Sequence, residues 1–190
     1  MELKLEDFEK ERLEKMSKEE LITLVCELGN FLLRVRKKTD KIKISGKVKM
    51  TMTDIETGEV EISEYKNLIP TCGREAIARR LINEGLKASE SIITYGAVGT
   101  NTSAPALVDT TLGTELFRKT IASTSRTSNE LHINTFLTTA EGNGNLREFG
   151  LFGEDANGTA NSGTLFEKVS INRTKTSAKT LLIESVLTIE

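Results

Sequence analysis

Two hydrophobic rhythms divide this chain. Over roughly the first forty residues apolar side chains recur at helical spacing, and from Lys41 onward they alternate at every second position. Residues 1–38 are dense in Leu, Glu and Lys, with one glycine and no proline, which predicts helix. Ser17-Lys18-Glu19-Glu20 has the form of a capping box, so two helices are expected with a break near Met16-Ser17. In the second, Leu21, Val25, Leu28, Leu32 and Val35 follow the four-three steps of a coiled-coil seam, and Ile22, Leu24, Phe31 and Leu33 widen the stripe. Leu21, Val25, Leu28 and Leu32 are therefore expected against another chain, the alternative being a helix lying on its own β domain. Arg34, Arg36, Lys37 and Lys38 crowd the last turn, which suits the negative end of the helix dipole.

In the second part Ile42, Ile44, Val48, Met50 and Met52 alternate with Lys43, Lys47, Lys49 and Thr51, the pattern of a half-buried strand, with Gly46 expected at a bulge or bend. Asp54 to Glu59 supplies turn chemistry, and Val60, Ile62 and Tyr65 return, so a hairpin is expected from about Ile42 to Lys66. After a turn at Asn67–Gly73, Arg74 to Asn83 predicts a helix with Ile77, Ala78, Leu81 and Ile82 inward and Gly85 at its C′ position. Strands follow near Ser91–Val98, Glu115–Ser123, Glu130–Thr139, Leu146–Phe152, Thr164–Asn172 and Thr180–Ile189. The expectation is a mainly β protein, an antiparallel β-sandwich over residues 41–190 with one short helix, preceded by a helical oligomerisation or docking segment over 1–40. Within it, Glu148 to Gly153 puts Phe149 and Leu151 on one face and Glu148, Gly150 and Phe152 on the other. Both faces then carry a large apolar group, as in a strand covered on both sides, and Glu148 is tolerable there only if paired, with Arg147 and Arg118 the candidates.

Charge and composition narrow the chemistry. The 190 residues hold 26 basic and 28 acidic side chains, a net charge of −2, so no whole-chain field favours nucleic acid or an anionic membrane. Cys26 and Cys72 have neither CxxC spacing nor a third thiol, as expected of free thiols in a reducing compartment. The acidic, amphipathic opening lacks the apolar core of a signal peptide, so folding in cytoplasm is expected and the triplets at Asn101, Asn157 and Asn172 are not expected to carry glycans.

His132 is the only histidine and alternates with Leu131 and Ile133 in a predicted strand, where a structural role is expected. Asp109, Glu115, Glu141 and Glu148 are the carboxylates a glycosidase would draw on. Asp109 is placed to cap a turn at Thr110–Leu112, however, and strand alternation sets Glu115 and Arg118 on opposite faces. A chain with no Trp and two Tyr also has few flat rings for sugar faces. Asp155, Asn157, Thr159 and Asn161 alternate like calcium ligands, but Phe166 stands where the bidentate acid belongs. No phosphate-binding glycine motif lies between a strand and a helix. No enzyme activity, cofactor or metal is expected.

Order and spacing over Lys43–Ile189 carry one resemblance. Gly99-Thr100, Pro105, Asp109-Thr110, Leu112, Glu115 and Arg118, followed by Glu148 through Phe152, stand where a family of tailed-phage virion structural proteins has G-T-G-x-T-x-P-x-x-x-D-T-x-L-x-x-E-x-x-R and E-x-G-L-F. The chain resembles such tail-fibre, baseplate and appendage domains, with Asn101 where the family often has a second glycine. The resemblance implies a virion location and an assembly role. Its partners would be itself, as a homotrimer, and other virion proteins, with Thr100, Pro105, Phe149 and Phe152 as contact candidates beside the helical seam. The alternative it leaves open is a receptor-binding module that recognises a host glycan or protein through the loops Thr100–Val108 and Glu154–Gly163.

Overall fold

The computed structural model describes residues 16–36, 42–82 and 93–190. The chain divides into two compact units, Met1–Ile42 and Lys43–Glu190. The first expected helix, the Gly85 cap and the start of the Ser91–Val98 strand lie outside the described residues, as do the side chains of Leu28 and Leu32.

In the first unit helix α1 spans Lys18–Arg36. Its capping box forms in both directions: the Ser17 amide donates to Glu20 Oε2 at 2.8 Å and the Glu20 amide to Ser17 Oγ at 3.3 Å. Those contacts, the Ser17 amide first, hold the Glu20 carboxyl below its ordinary range. Leu21 is half-buried and Val25 is 66% exposed, so this part of the seam is open to a partner.

The second unit is two antiparallel sheets packed face to face, mainly β as the alternation requires. Strands β1 (Ile44–Asp54) and β2 (Val60–Lys66) form the expected hairpin. Asp54 Oδ1 accepts from the Glu56 and Thr57 amides, and Gly58 takes φ 71°, which a side chain would resist. Helix α2 (Thr71–Ile82) follows, then β3 (Tyr95–Gly99), β4 (Glu115–Thr120), β5 (Ser123–Thr127), β6 (Glu130–Leu137), β7 (Gly144–Gly153), β8 (Thr164–Lys175) and β9 (Lys179–Ile189). One sheet runs β2-β1-β9-β6-β5 and the other β4-β3-β7-β8. Val48, Met50 and Met52 of β1, Leu181, Ile183 and Leu187 of β9, and Ile133 and Leu137 of β6 meet Val98, Phe149, Leu151, Val169 and Ile171 of the opposite sheet in the main core. The ends of this unit are tied together, since Lys43 and Glu190 exchange two backbone hydrogen bonds of 2.8 Å and their side chains pair at 2.9 Å.

Three local expectations change. The single strand expected over Glu115–Ser123 is two strands in different sheets. At the crossing the Ile121 amide bonds the Thr94 carbonyl and the next amide, Ala122, bonds the Asn134 carbonyl, so both amides are paired as the chain changes layer. Gly46 is not at a bulge: its ladder with β9 is regular, and it is glycine because a Cβ would stand 2.6 Å from both Asn67 Nδ2 and the Val186 carbonyl. Helix α2 packs through Gly73, Ala76 and Ile77, while Ala78, Leu81 and Ile82 are exposed. A Cβ on Gly73 would lie 2.4 Å from the Phe166 carbonyl, so the first turn touches the β8 backbone and fixes which face turns inward.

One buried polar group sits between the sheets. A register shift against β7, where Leu151 faces Glu167 and Phe152 faces Leu165, inserts an extra β8 residue. Glu167 is thereby sent into the core, fully buried, where the Ser185 hydroxyl of β9 bonds Oε1 at 3.1 Å and Oε2 has no partner. Burial pushes its carboxyl up to about 7, against weaker opposing pulls from the Asn67 and Ser185 side chains, neither of them charged. A proton held more tightly when folded stabilises the fold fully below the unfolded value of 4.5, and that stability is lost as pH rises through about 7. We expect unfolding by urea to become easier between pH 5 and pH 8, by roughly 3 kcal/mol, and Glu167→Gln to abolish that slope. An unchanged slope in the Gln variant would refute the assignment.

Candidate functional site

The loops that follow β3 and β7 stand on the outer face of the four-stranded sheet, on a set of buried charges. Glu148 of β7 lies opposite Gly99, the last residue of β3, and is 1% exposed. Its Oε1 accepts from the Thr114 amide at 2.8 Å and the Asn101 amide at 3.3 Å, and its Oε2 from the Gly113 amide at 2.9 Å. One carboxylate thus closes both ends of the excursion from Thr100 to Thr114. Lys168 of β8 is 3.6 Å from Glu148, 3.0 Å from Asp109 Oδ2 and 3.3 Å from the Thr111 carbonyl, pinning the middle of the loop. Burial opposes charge on Asp109, but the Ala106 amide and Lys168 together hold its carboxyl below the ordinary range. Helix α2 holds the same loop through the Thr71 amide, bonded to Leu107, and the Cys72 thiol, which donates to Asp109 and Leu165 carbonyls.

The neighbouring loop, Glu154–Gly163, hangs on Arg118 and Glu115. These two form a bidentate pair of 2.6 and 2.8 Å with 4% and 3% of their side chains exposed. Arg118 Nη1 donates to the Asn157 carbonyl and to Ser162 Oγ, while Glu115 Oε2 accepts the Asn161 amide at 2.8 Å. The guanidinium also lies 4.7 Å over the Phe152 ring. Asn161, at φ 56°, reaches the first loop by accepting the Leu112 amide at 3.1 Å. Glu154 at the loop's start binds Arg79 and Thr164; burial works against its charge, yet those two contacts keep its carboxyl low.

The sequence-predicted contact residues separate. Thr100 is exposed and Pro105 half-buried on the first loop, whose tip also shows Leu107 at 46% and Val108 at 84% exposure. Phe149 and Phe152 have no accessible surface within the single chain, so their side chains do not offer a contact. Phe149 fills the main core, and Phe152 packs with Ala97, Leu112 and Leu165 beneath the loops. The strand is covered on both sides, as its pattern predicts, but the second cover is the chain's own loop. Gly150 is tight for the same reason: a Cβ would come within 3.0 Å of the Glu167 carbonyl and of Leu112 and Leu165.

Three charge assignments also change. Glu148 pairs with Lys168 and loop amides, whereas Arg147 turns to the Leu146 carbonyl and Arg118 to Glu115. Asp109 binds the amide of Ala106 behind it, because Lys168 draws its carboxylate under the loop. Glu115 and Arg118 share a face because β4 has an extra residue against β3: Val98 faces Phe117 while Gly99 faces Glu115. A bulge shifts parity by one, which strict alternation cannot register. Lys168 and Asn161, both essential to the platform, carry no local signal in the sequence.

The remaining candidates are engaged elsewhere. Glu141 binds Lys119 at 2.7 Å and the Thr138 amide at 2.8 Å, and His132 Nδ1 lies 3.2 Å from Glu184. Asn157 accepts the Thr159 amide within its own loop, and no cluster of metal-binding side chains occurs among the described residues. Cys26 is exposed and free. Set against family models, curated proteins and solved structures, the chain matches none.

Removing Glu148 would leave the Lys168 ammonium and three loop amides without their shared acceptor. Glu148→Ala is expected to cost about 3–5 kcal/mol in chemical denaturation, with hydrogen exchange accelerated first at Asn101, Gly113 and Thr114. Loss of stability without faster exchange at those amides would contradict the assignment.

Proposed function

We propose that this protein is a structural, assembly-type component of a tailed-phage virion, without catalytic activity, that self-associates through α1 and docks other virion proteins. The observation that carries the reading is the work done by the polar positions of the resembled string. Asp109, Glu115, Arg118 and Glu148 are the residues that anchor the two exposed loops to the sheet. A string that fixes a loop platform is what a docking domain needs, since a preorganised surface loses less freedom on binding. Asp109, Glu115 and Glu148 are each committed to cations and amides, so none of the three stands as a free acid or base.

The open seam of α1 supplies self-association, with Val25 two-thirds exposed and the four-three spacing continuing to Leu28 and Leu32. Leu28→Asp is expected to lower the sedimenting mass threefold, by undoing the helical homotrimer, while leaving the thermal transition of the β unit in place. An unchanged mass would sink self-association through this helix.

A receptor-binding reading is favoured by one observation of its own: Leu107 and Val108 stand out from a braced loop beside the exposed Asn157–Ala160 stretch. A glycan array and a host-cell binding assay separate the two. Specific binding that is lost in Val108→Asp would select the receptor role, and incorporation into particles without host binding the assembly role. Depolymerisation of a host polysaccharide, lost in Glu115→Gln or Glu148→Gln, would overturn the non-enzymatic reading.

A further inference from the structure

The outer face of the five-stranded sheet carries an apolar row that the loop platform and helix α2 do not use. Ile62 of β2 faces Thr51 of β1, Thr51 faces Leu182 of β9, and Leu182 faces Phe136 of β6, so the four side chains stand in one line across the sheet. Ile62, Leu182 and Phe136 are 58%, 37% and 38% exposed, and Val60, one rung away, is 51% exposed. Large apolar groups aligned in cross-strand register form a continuous strip, unlike the scattered apolar residues of an ordinary surface.

We propose that this face is a two-fold interface, closed by the same face of a second copy. Three features of the face select that occupant. The strip crosses the middle of the sheet, because β9 is the third of five strands and bears Leu182, with Thr51 and Phe136 on either side. A two-fold axis running along β9 sets Leu182 against its own copy, Phe136 against Thr51, and Ile62 over the edge strand β5, so the middle of the strip covers itself. The rest of the face is also charge-balanced, Lys47, Lys49 and Lys66 against Glu64, Glu130 and Glu184, three of each sign.

A face of one sign repels its own copy, whereas here Lys47 already meets Glu64 at 3.5 Å and His132 meets Glu184 at 3.2 Å within the sheet. Size agrees as well. The five strands, of 11, 7, 11, 8 and 5 residues, present about 670 Å² at about 3.3 Å rise and 4.8 Å spacing, within the range that each partner contributes to a standard stable interface. Face-to-face stacking of sheets is a packing mode that this chain already uses internally. Joined to a three-stranded helical contact, a two-fold contact pairs two trimers into a closed six-copy assembly when the two axes meet at a right angle. The contact itself rests on nothing in the virion reading and would stand if that reading fell.

Full-length protein carrying Cys26→Ser and Leu182→Cys tests it by mild oxidation and non-reducing electrophoresis, with Cys26→Ser and Glu64→Cys, at the sheet edge, as control. The expected result is a covalent dimer from Leu182→Cys and little from the control, persisting when Leu28→Asp is added. Sedimentation of Leu182→Lys and of the edge variant Ile62→Lys should show half the assembled mass, with circular dichroism checking the fold of each. No cross-link, equal cross-linking in the control, a cross-link that vanishes with Leu28→Asp, or unchanged mass in folded lysine variants would each overturn the proposal.

Discussion

The carboxylate of Glu148 is the point on which the upper half of the sandwich depends. It sits where β3 ends, with almost no solvent, and a single charge there must satisfy amides at both ends of a fifteen-position excursion from Thr100 to Thr114. An unpaired carboxylate at that depth would be strongly unfavourable, so Lys168 follows of necessity, and Lys168 in turn holds Asp109. The loop then lays Leu112 over Phe152, which completes the second apolar cluster. Packing beneath the loop and order in the loop are consequences of one electrostatic requirement.

A second buried acid has the opposite temperament. Glu167 lies between the sheets with Ser185 and no cation, so it keeps its proton where Asp109, beside Lys168, gives its own up. Glu167 is fully buried in a strand and Asp109 half-buried on a loop, so depth and company both differ. Glu148 and Lys168 sit on the outward side with the loops, while the extra residue in β8 delivers Glu167 to the inward side. Register, more than residue type, has sorted these carboxyls into one that anchors charge and one that avoids it.

Elements governed by near neighbours were legible in the sequence. The Ser17–Glu20 cap, the Ile42–Lys66 hairpin and the two-sided burial of Phe149 and Phe152 follow from spacing alone, and the two-sheet architecture follows from many short alternating segments. What was hidden depends on residues far apart in sequence. The change of sheet at Ile121–Ala122 is invisible because both halves alternate alike, and the Glu115–Arg118 pair is invisible because a bulge across from Gly99 reverses parity. On helix α2 the expected Ile77 faces inward but Ala78, Leu81 and Ile82 do not, since close backbone approach at Gly73 decides the contact face although Leu and Ile outrank glycine on any hydrophobicity scale. Lys168 and Asn161 found their roles only once β8 and the neighbouring loop were in place.

The tie between Lys43 and Glu190 has a mechanical meaning. The first residue of the β unit and the last are hydrogen-bonded neighbours at the same end of the β1–β9 ladder, so the whole unit hangs from one point, like a pendant on a doubled cord. Tension drawn between those two ends would open the ladder from Ile44–Ile189 inward, one rung after another, and never load several rungs in parallel. Such a unit yields at low force when stretched end to end. If it transmits load within a larger structure, the force path must enter through its faces and loops, leaving the backbone ends as a tether.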